Sequence, residues 1–253
     1  FAHLSAPGMD VIGATLPGTP FVVLGRTPEV AWGFTNTGPD VQDLYLEQID
    51  PKDPKRYRLP APAGQEAWAS FTERVETFKV KGQPDVTHTV RSTRHGPVLS
   101  DISGRAQELV DTGRYAVALR WTALDADNRN VQATAASNRA HSVVDLLEAI
   151  RDFHSPIQNA VMADRSGRIA YKAVGRVPVR AAGNDIRGIA PSPGWDARYD
   201  WTGWLSYEET PQDDGQKGWI ATANQRIHAA DYPHYLTQDW AALYEEVAAM
   251  REA

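Results

Sequence analysis

Short apolar runs separated by Gly and Pro dominate the first 50 residues of the chain. Apolar and β-branched residues cluster at 10–16, 21–24 and 30–34, and an alternating run follows at 43–49. Runs of this kind, bounded by Gly or Pro, are typical of β-strands, so the pattern predicts four strands here. Segment 50–67 is rich in Pro and Lys and is interpreted as a connection.

Alternation continues through the middle of the chain. Polar and apolar residues alternate with period two at 70–81 and again at 87–92. This pattern predicts an antiparallel pair with one face toward solvent. Residues 115–121 (YAVALRW) predict a buried strand. We therefore interpret residues 1–124 as a β-rich part, with an additional β-rich region over roughly 50–110.

The pattern changes after Leu124, where helical signals appear. Residues 128–140 contain few helix breakers. Ser142 opens a capping box, and apolar residues follow it at helical spacing, namely Leu146, Leu147, Ile150 and Phe153. A tight turn at 164–167 then separates two strand-like runs, 158–162 and 169–174.

Three further expectations cover the rest of the mixed α/β part, residues 125–253. Residues 180–217 are interpreted as a long surface connection anchored by Trp and Pro, and 219–222 as a short strand. Residues 240–252 predict a terminal helix. Because the strands come in runs rather than in regular alternation with helices, the predicted fold class is α+β.

Composition narrows the range of functions. The 253 residues are 42% hydrophobic and 23% charged, which is usual for a globular protein. The net charge of -6 argues against nucleic acid as a partner, since phosphate binding favours a basic face. No run reaches the roughly 18 to 20 apolar residues of a membrane span. Without cysteine, thiolate catalysis, disulfides and cysteine-ligated metals are excluded.

Five segments match one enzyme family in the family's own order. The longest is 30–47 (VAWGFTNTGPDVQDLYLE), and the others are 12–18 (IGATLPG), 94–98 (RHGPV), 163–171 (ADRSGRIAY) and 220–224 (IATAN). One such segment is a weak indication, whereas five in order across the chain are a strong one. The chain resembles the penicillin acylase family of N-terminal nucleophile hydrolases. This resemblance implies an αββα sandwich with antiparallel sheets.

The resemblance also implies an activity, the hydrolysis of a linear amide. The substrate would be a small N-acyl compound, such as a β-lactam side chain or an acyl-homoserine lactone. In this family a serine at the N-terminus of the β chain attacks the carbonyl, and its α-amino group acts as base. Phe1 has no nucleophilic atom, so we interpret residues 1–253 as an internal, incomplete part of the β chain, inactive by itself. The α chain of the same precursor would be its partner, in the periplasm or outside the cell.

Two asparagines match the family's oxyanion donors. Asn224 matches the asparagine whose side-chain amide donates to the oxyanion, and Asn36 matches the residue whose backbone N–H is the second donor. From the residue type alone, Asn224 is more simply a turn residue and Asn36 the end of a strand. With the resemblance, both are candidate catalytic residues.

Leu24, Phe34 and Gln158 match positions that line the family's acyl pocket. Two of the three are apolar and suit an apolar acyl group. Plain core packing explains Leu24 and Phe34 about as well. Gln158 is more polar than the aliphatic residue of some relatives, which argues against a phenylacetyl preference.

Asp40, Gln42 and Asp43 form an acidic cluster that the resemblance identifies, together with Ile186, as ligands of a structural Ca²⁺ ion. Two carboxylates and the main-chain carbonyls of Gln42 and Ile186 would supply the oxygens that Ca²⁺ prefers. A solvated acidic turn is the simpler alternative from the residues alone. No organic cofactor is implied, and His95 is interpreted as structural. An alternative function is a calcium-stabilised scaffold or binding domain without catalysis.

Overall fold

Strands form most of the regular structure in the computed structural model, which describes residues 1–108 and 110–240. In chain order the strands are β1 (Ala2–Ala6), β2 (Met9–Thr15), β3 (Val22–Arg26), β4 (Val30–Asn36), β5 (Gln42–Asp50), β6 (Asp53–Leu59), β7 (Ala67–Ser70), β8 (Thr72–Phe78), β9 (Val86–Thr93), β10 (Gly96–Pro97), β11 (Tyr115–Trp121), β12 (Gln158–Asp164), β13 (Ile169–Val174), β14 (Pro178–Arg180), β15 (Ser192–Pro193), β16 (Trp201–Trp204) and β17 (Gln212–Asp213). The α-helices are α1 (Gly104–Glu108), α2 (Asn130–Ser137) and α3 (Val143–Ala149). The terminal helix predicted at 240–252 lies outside the described residues, apart from Trp240.

The chain divides into two compact units, each assembled from separate stretches of sequence. Unit 1 combines residues 1–41, 125–178 and 204 onward, and unit 2 combines 42–124 and 179–203. The change in sequence pattern after Leu124 therefore marks the return of the chain to unit 1. The first 41 residues, which the pattern joined to the β-rich part, belong to unit 1 as well.

A seven-stranded sheet organises unit 1. Its strand order is β1-β2-β3-β4-β12-β13-β17, and each neighbouring pair is antiparallel. The central pairing sets Asn36 at the end of β4 opposite Gln158 at the start of β12. This register aligns two residues that are far apart in sequence at one end of the β4–β12 pair, where the candidate site lies.

The core of unit 1 forms where α3 packs on this sheet. Ser142 caps the helix by accepting a hydrogen bond from the Asp145 N–H, as the capping box predicts. Leu146 and Ile150 then face the sheet and are buried together with strand residues such as Val22 and Met162. Apolar burial of this kind provides the main stabilisation of the sheet and fixes its strands in place.

Unit 2 is almost entirely β-structure. Its larger sheet has the order β11-β5-β6-β7, and β15 joins β5 in parallel. A three-stranded sheet, β10-β9-β8, and a two-stranded pair of β14 with β16 complete it. Tyr57, Phe71, Val98 and Ala116 form one of its cores.

Segment 50–67, predicted as a connection, contains β6. Tyr57 is buried in β6, while Lys and Arg side chains at neighbouring positions leave the core toward solvent. Because of these long charged side chains, the sequence pattern did not indicate a strand here. Conversely, the strand predicted at 219–222 is wrong, because those residues have no ladder pairing. The expected surface connection 180–217 is partly buried and contributes short strands, with Asn184 and Ser192 inside.

The predicted fold class is confirmed: the chain is α+β, with mostly antiparallel sheets and few helices. Among the residues that the structure describes, no helix has both the length and the apolar character needed to cross a membrane.

Candidate active site

An apolar cavity of about 500 Å³ opens in unit 1 between β3, β4 and the residues around α2. All three sequence-predicted pocket residues, Leu24, Phe34 and Gln158, line it. The remaining lining residues are Leu16, Thr19, Pro20, Phe21, Val23, Asn130, Val131, Thr134, Phe153, Ser155 and Pro156. No charged side chain occurs among these described lining residues. The cavity therefore suits a neutral, apolar group.

Phe153, Val131 and Thr134 also line the cavity, although the sequence did not single them out for this role. The rings of Phe34 and Phe153 stack with centroids 6.5 Å apart. Val131 and Thr134 lie on one side of α2 and contribute to the lining. Phe153 was predicted only as part of the apolar stripe of a helix. No local pattern distinguishes an apolar side chain that lines a cavity from one that fills a core.

Asn36 lies beside this cavity, at the end of β4. The Gln158 Nε2 atom donates a hydrogen bond to Asn36 Oδ1 at 2.9 Å. Gln158 thus joins the cavity wall to the strand end. Gln158 stands where some relatives have an aliphatic residue. Its polar side chain has a hydrogen-bond partner in Asn36, which lies directly opposite in the sheet register.

Asn159, which the sequence analysis missed, connects its own strand β12 to β4 and β13 next to Asn36. It is fully buried in β12, and its Nδ2 atom donates to Thr35 Oγ1 at 3.1 Å and to the Asn36 carbonyl at 3.2 Å. Its Oδ1 atom accepts from the Tyr171 hydroxyl at 2.9 Å. The available signal was a polar residue directly before the apolar run Ala160–Met162.

The loop that carries Asn224 is tied to the same strand. Thr35 Oγ1 donates to Thr222 Oγ1 at 2.9 Å. Asn224 is exposed and has a left-handed backbone, with φ of 63°. Asparagine tolerates this conformation better than most residues, so the turn interpretation holds in the structure. Thr222, two residues before Asn224, therefore connects this loop to the strand that ends at Asn36.

Asp43, the central residue of the predicted calcium site, is already paired with a cation. Arg180 donates to Asp43 Oδ1 at 2.5 Å and to Oδ2 at 3.0 Å, and Trp201 Nε1 donates to Oδ2 at 2.7 Å. The side chains of Asp43 and Arg180 are 1% and 5% exposed. A Cβ atom added at Gly188 would lie 2.4 Å from Asp43 Oδ1, so the 186–188 turn packs closely against this pair. Asp43 as it stands does not fit a calcium ligand, since Ca²⁺ would have to displace Arg180.

The other proposed calcium ligands also have protein partners. Asp40 accepts from Thr237 Oγ1 at 3.2 Å, and its backbone N–H donates to the Leu236 carbonyl at 2.8 Å. The Ile186 carbonyl accepts from the Ile189 N–H, and Gln42 begins β5. In the described part of the chain, no group of three or more His, Asp or Glu side chains could hold a metal ion. Two of the predicted ligands are main-chain carbonyls rather than side chains, so calcium binding stays a prediction.

His95 is buried in unit 2 and bridges two carboxylates. Its Nδ1 and Glu47 Oε1 are 2.7 Å apart, and its Nε2 and Asp200 Oδ1 are 3.1 Å apart. The imidazole stacks on the Tyr45 ring with centroids 3.6 Å apart. These contacts agree with the structural role expected for His95.

Lys172 is a buried cation in unit 1 that no sequence motif indicated. Its side chain is fully buried in β13, and Nζ donates to the carbonyls of Tyr207 and Thr210. Burial lowers the pKa of Lys172 to about 8. The lysine anchors the 207–210 segment to the sheet.

Comparison with known proteins gives one family. The sequence model of penicillin amidase matches residues 1–251. The chain is 34% identical over 245 residues to an acyl-homoserine lactone acylase of Pseudomonas aeruginosa, covering 95% of this chain and 28% of that protein. It is 33% identical over 239 residues to a penicillin acylase 2 proenzyme of a Pseudomonas species, covering 94% of this chain and 29% of the relative.

Solved structures give a similar fold. A thermostable penicillin G acylase from Alcaligenes faecalis superposes with a TM-score of 0.77 at 27% identity. The match covers 96% of this chain and 41% of that chain. The present chain therefore spans less than half the length of the relatives to which it is similar.

Proposed function

Because the chain belongs to the penicillin amidase family, we propose that the protein containing it hydrolyses a linear amide with a neutral, apolar acyl group. The observation that carries this proposal is the cavity of unit 1. It has the size of a small-molecule site, its described lining residues are uncharged, and Gln158 connects it to the strand end at Asn36.

In this proposal the chain supplies the acyl pocket and the oxyanion donors. The Asn36 N–H and the Asn224 side-chain amide stabilise the negative oxygen that develops when the carbonyl is attacked. The nucleophile is the hydroxyl of an N-terminal serine outside these 253 residues, with its own α-amino group as base. The α chain of the same precursor completes the enzyme.

The relatives' names suggest two substrate classes, acyl-homoserine lactones and penicillins. The cavity favours substrates with a neutral aliphatic acyl chain. A terminal carboxylate would enter a region whose described lining residues offer no cation. Burying an unpaired carboxylate costs several kcal/mol, which would exclude diacid side chains.

A pair of chromogenic anilides tests this proposal in the full-length protein. Hexanoyl and adipoyl anilides have the same six-carbon backbone and differ in the terminal carboxylate. We expect kcat/KM for the hexanoyl compound to exceed that for the adipoyl compound by at least about 10². Equal rates would reject the neutral pocket, and no hydrolysis of either the anilides or the corresponding homoserine lactones would reject the amidase.

A further inference from the structure

The buried amide of Asn159 has one possible orientation. A carbonyl oxygen only accepts hydrogen bonds, so the Asn36 carbonyl, 3.2 Å away, requires the Nδ2 end of the amide to face β4. The Oδ1 end then faces Tyr171, whose hydroxyl must donate. The Asn36 carbonyl therefore sets the amide flip, and the Tyr171 hydroxyl, which could donate or accept, donates to the Oδ1 end that faces it.

The network continues through the Thr35 hydroxyl. Thr35 Oγ1 accepts from Asn159 Nδ2 at 3.1 Å and donates to Thr222 Oγ1 at 2.9 Å. The donors thus run in one sense, from Tyr171 through Asn159 and Thr35 to Thr222. Networks with every member satisfied hold their groups more rigidly than single bonds do.

The two acceptors of Asn159 flank one particular peptide. Thr35 Oγ1 belongs to the residue on the N-terminal side of the Thr35–Asn36 peptide bond. The Asn36 carbonyl belongs to the residue on its C-terminal side. That peptide carries the Asn36 N–H, the first proposed oxyanion donor. At the other end of the network, Thr222 lies two residues before Asn224, the second proposed donor.

We propose that Asn159 and Thr35 are positioning residues that set the relative placement of the two oxyanion donors. This inference rests on the proposed function, since it assigns no chemistry to either residue. Neither side chain needs to touch the substrate. Because misplacement of a catalytic group by about 1 Å can cost about 10² in rate, a shift in this network should lower turnover.

Isosteric changes at Thr35 separate positioning from simple support of the fold. Thr35→Val keeps the β-branched shape but removes both the acceptor for Asn159 and the donor to Thr222. In the full-length enzyme we expect kcat to fall about 10-fold to 100-fold with KM within about twofold. Thr35→Ser restores the hydroxyl and should recover most of kcat. Thr27→Val is the matched control, because Thr27 is a buried threonine of the same unit whose hydroxyl bonds the Ala140 carbonyl.

A second pair of variants decides the matter if Thr35→Val fails to fold. Tyr171→Phe leaves Asn159 Oδ1 without its donor, and we expect kcat to fall about threefold to tenfold. Tyr207→Phe removes a partly buried hydroxyl of the same unit, which bonds the Leu147 carbonyl, and should leave kcat unchanged.

The outcomes separate this inference from the proposed function. If the wild-type enzyme hydrolyses acyl amides but Thr35→Val or Tyr171→Phe keeps wild-type kcat, the positioning role is wrong and the amidase stands. A rise in KM with unchanged kcat would overturn it as well, as would failure of Thr35→Ser to recover turnover. If the wild type hydrolyses no amide, the proposed function fails and the positioning role fails with it.

Discussion

The hydroxyl of Thr35 donates a hydrogen bond to Thr222 Oγ1 at 2.9 Å, although 187 residues separate the two threonines in sequence. This bond ties the loop of Asn224 to the end of β4, where Asn36 lies. The geometry therefore supports a shared location for Asn36 and Asn224, which the sequence identified separately as candidates. The roles proposed for them in the full-length protein yield measurable predictions.

The cavity predicts a dependence of activity on acyl-chain length. Each methylene group buried in an apolar site contributes about 0.8 kcal/mol, or roughly fourfold in kcat/KM, until the cavity is full. Leu24→Trp should shorten the usable cavity, so kcat/KM for a decanoyl substrate should fall at least about tenfold while a butanoyl substrate changes little. Steady-state kinetics across the acyl series measures both effects.

Ile12→Trp is the control for that substitution. Ile12 lies on the neighbouring strand β2 and is 40% exposed, against 39% for Leu24, but it is not among the lining residues. An equal loss of long-chain activity in both variants would show that Leu24 does not line the acyl site.

Lys172 predicts a pH dependence of stability. Its pKa is about 8 in the folded chain, below the ordinary value of 10.5. Between these values the unfolded chain binds more protons, so the free energy of unfolding should rise with pH, by up to about 1.4 kcal/mol per pH unit. Burial raises the pKa of Tyr171 and Tyr207, which opposes the trend above about pH 10.

Urea unfolding of this chain between pH 8 and 9.5 measures the slope. Lys172→Met removes the titrating group and should flatten the curve in that window. A slope that is the same in the variant and the parent would show that Lys172 does not titrate there.

The Asp43–Arg180 pair predicts a large cost for removing one charge. Asp43→Asn removes the carboxylate charge that faces the buried guanidinium, so the free energy of unfolding should fall by about 3–5 kcal/mol. Asp196 and Arg198 form a similar pair, with side chains 28% and 66% exposed. Asp196→Asn should cost no more than about 1 kcal/mol. Comparable losses in the two variants would contradict the argument from burial.

Calcium titration tests the implied metal. Because Arg180 occupies Asp43, we expect weak calcium binding to this chain, with a dissociation constant of about 10⁻³ M or higher. Calorimetry on the parent and on Asp43→Asn gives the comparison. Equal heats would remove Asp43 from any calcium site, whereas tight binding to the parent would show that calcium displaces Arg180.

The sequence predicted local features of the fold better than distant pairings. Ser142 caps α3, and the 164–167 turn joins β12 to β13, because each signal depends on residues close together in the chain. The register that sets Gln158 opposite Asn36 joins residues 122 positions apart, and no local pattern specifies it. Only the family resemblance placed both residues at one site.

Charged and polar residues account for what the pattern missed. The Lys and Arg side chains of β6 are not typical of a strand, so the sequence did not predict β6, although Tyr57 within it is buried. Asn159 precedes the apolar run of β12 and Lys172 interrupts that of β13, yet both are fully buried, because partners elsewhere in unit 1 satisfy their hydrogen bonds. These partners lie outside the local sequence, so a local pattern cannot identify them.

Asn224→Gly in the full-length enzyme tests the central claim most directly. Glycine adopts the left-handed conformation of this turn freely, so the change removes the side-chain amide and keeps the backbone. We predict that kcat for hexanoyl anilide falls by about 10² to 10³, as for the loss of one oxyanion donor, while the melting temperature stays within about 2 °C. Turnover within about threefold of wild type, in a variant that melts normally, would contradict the proposed active site.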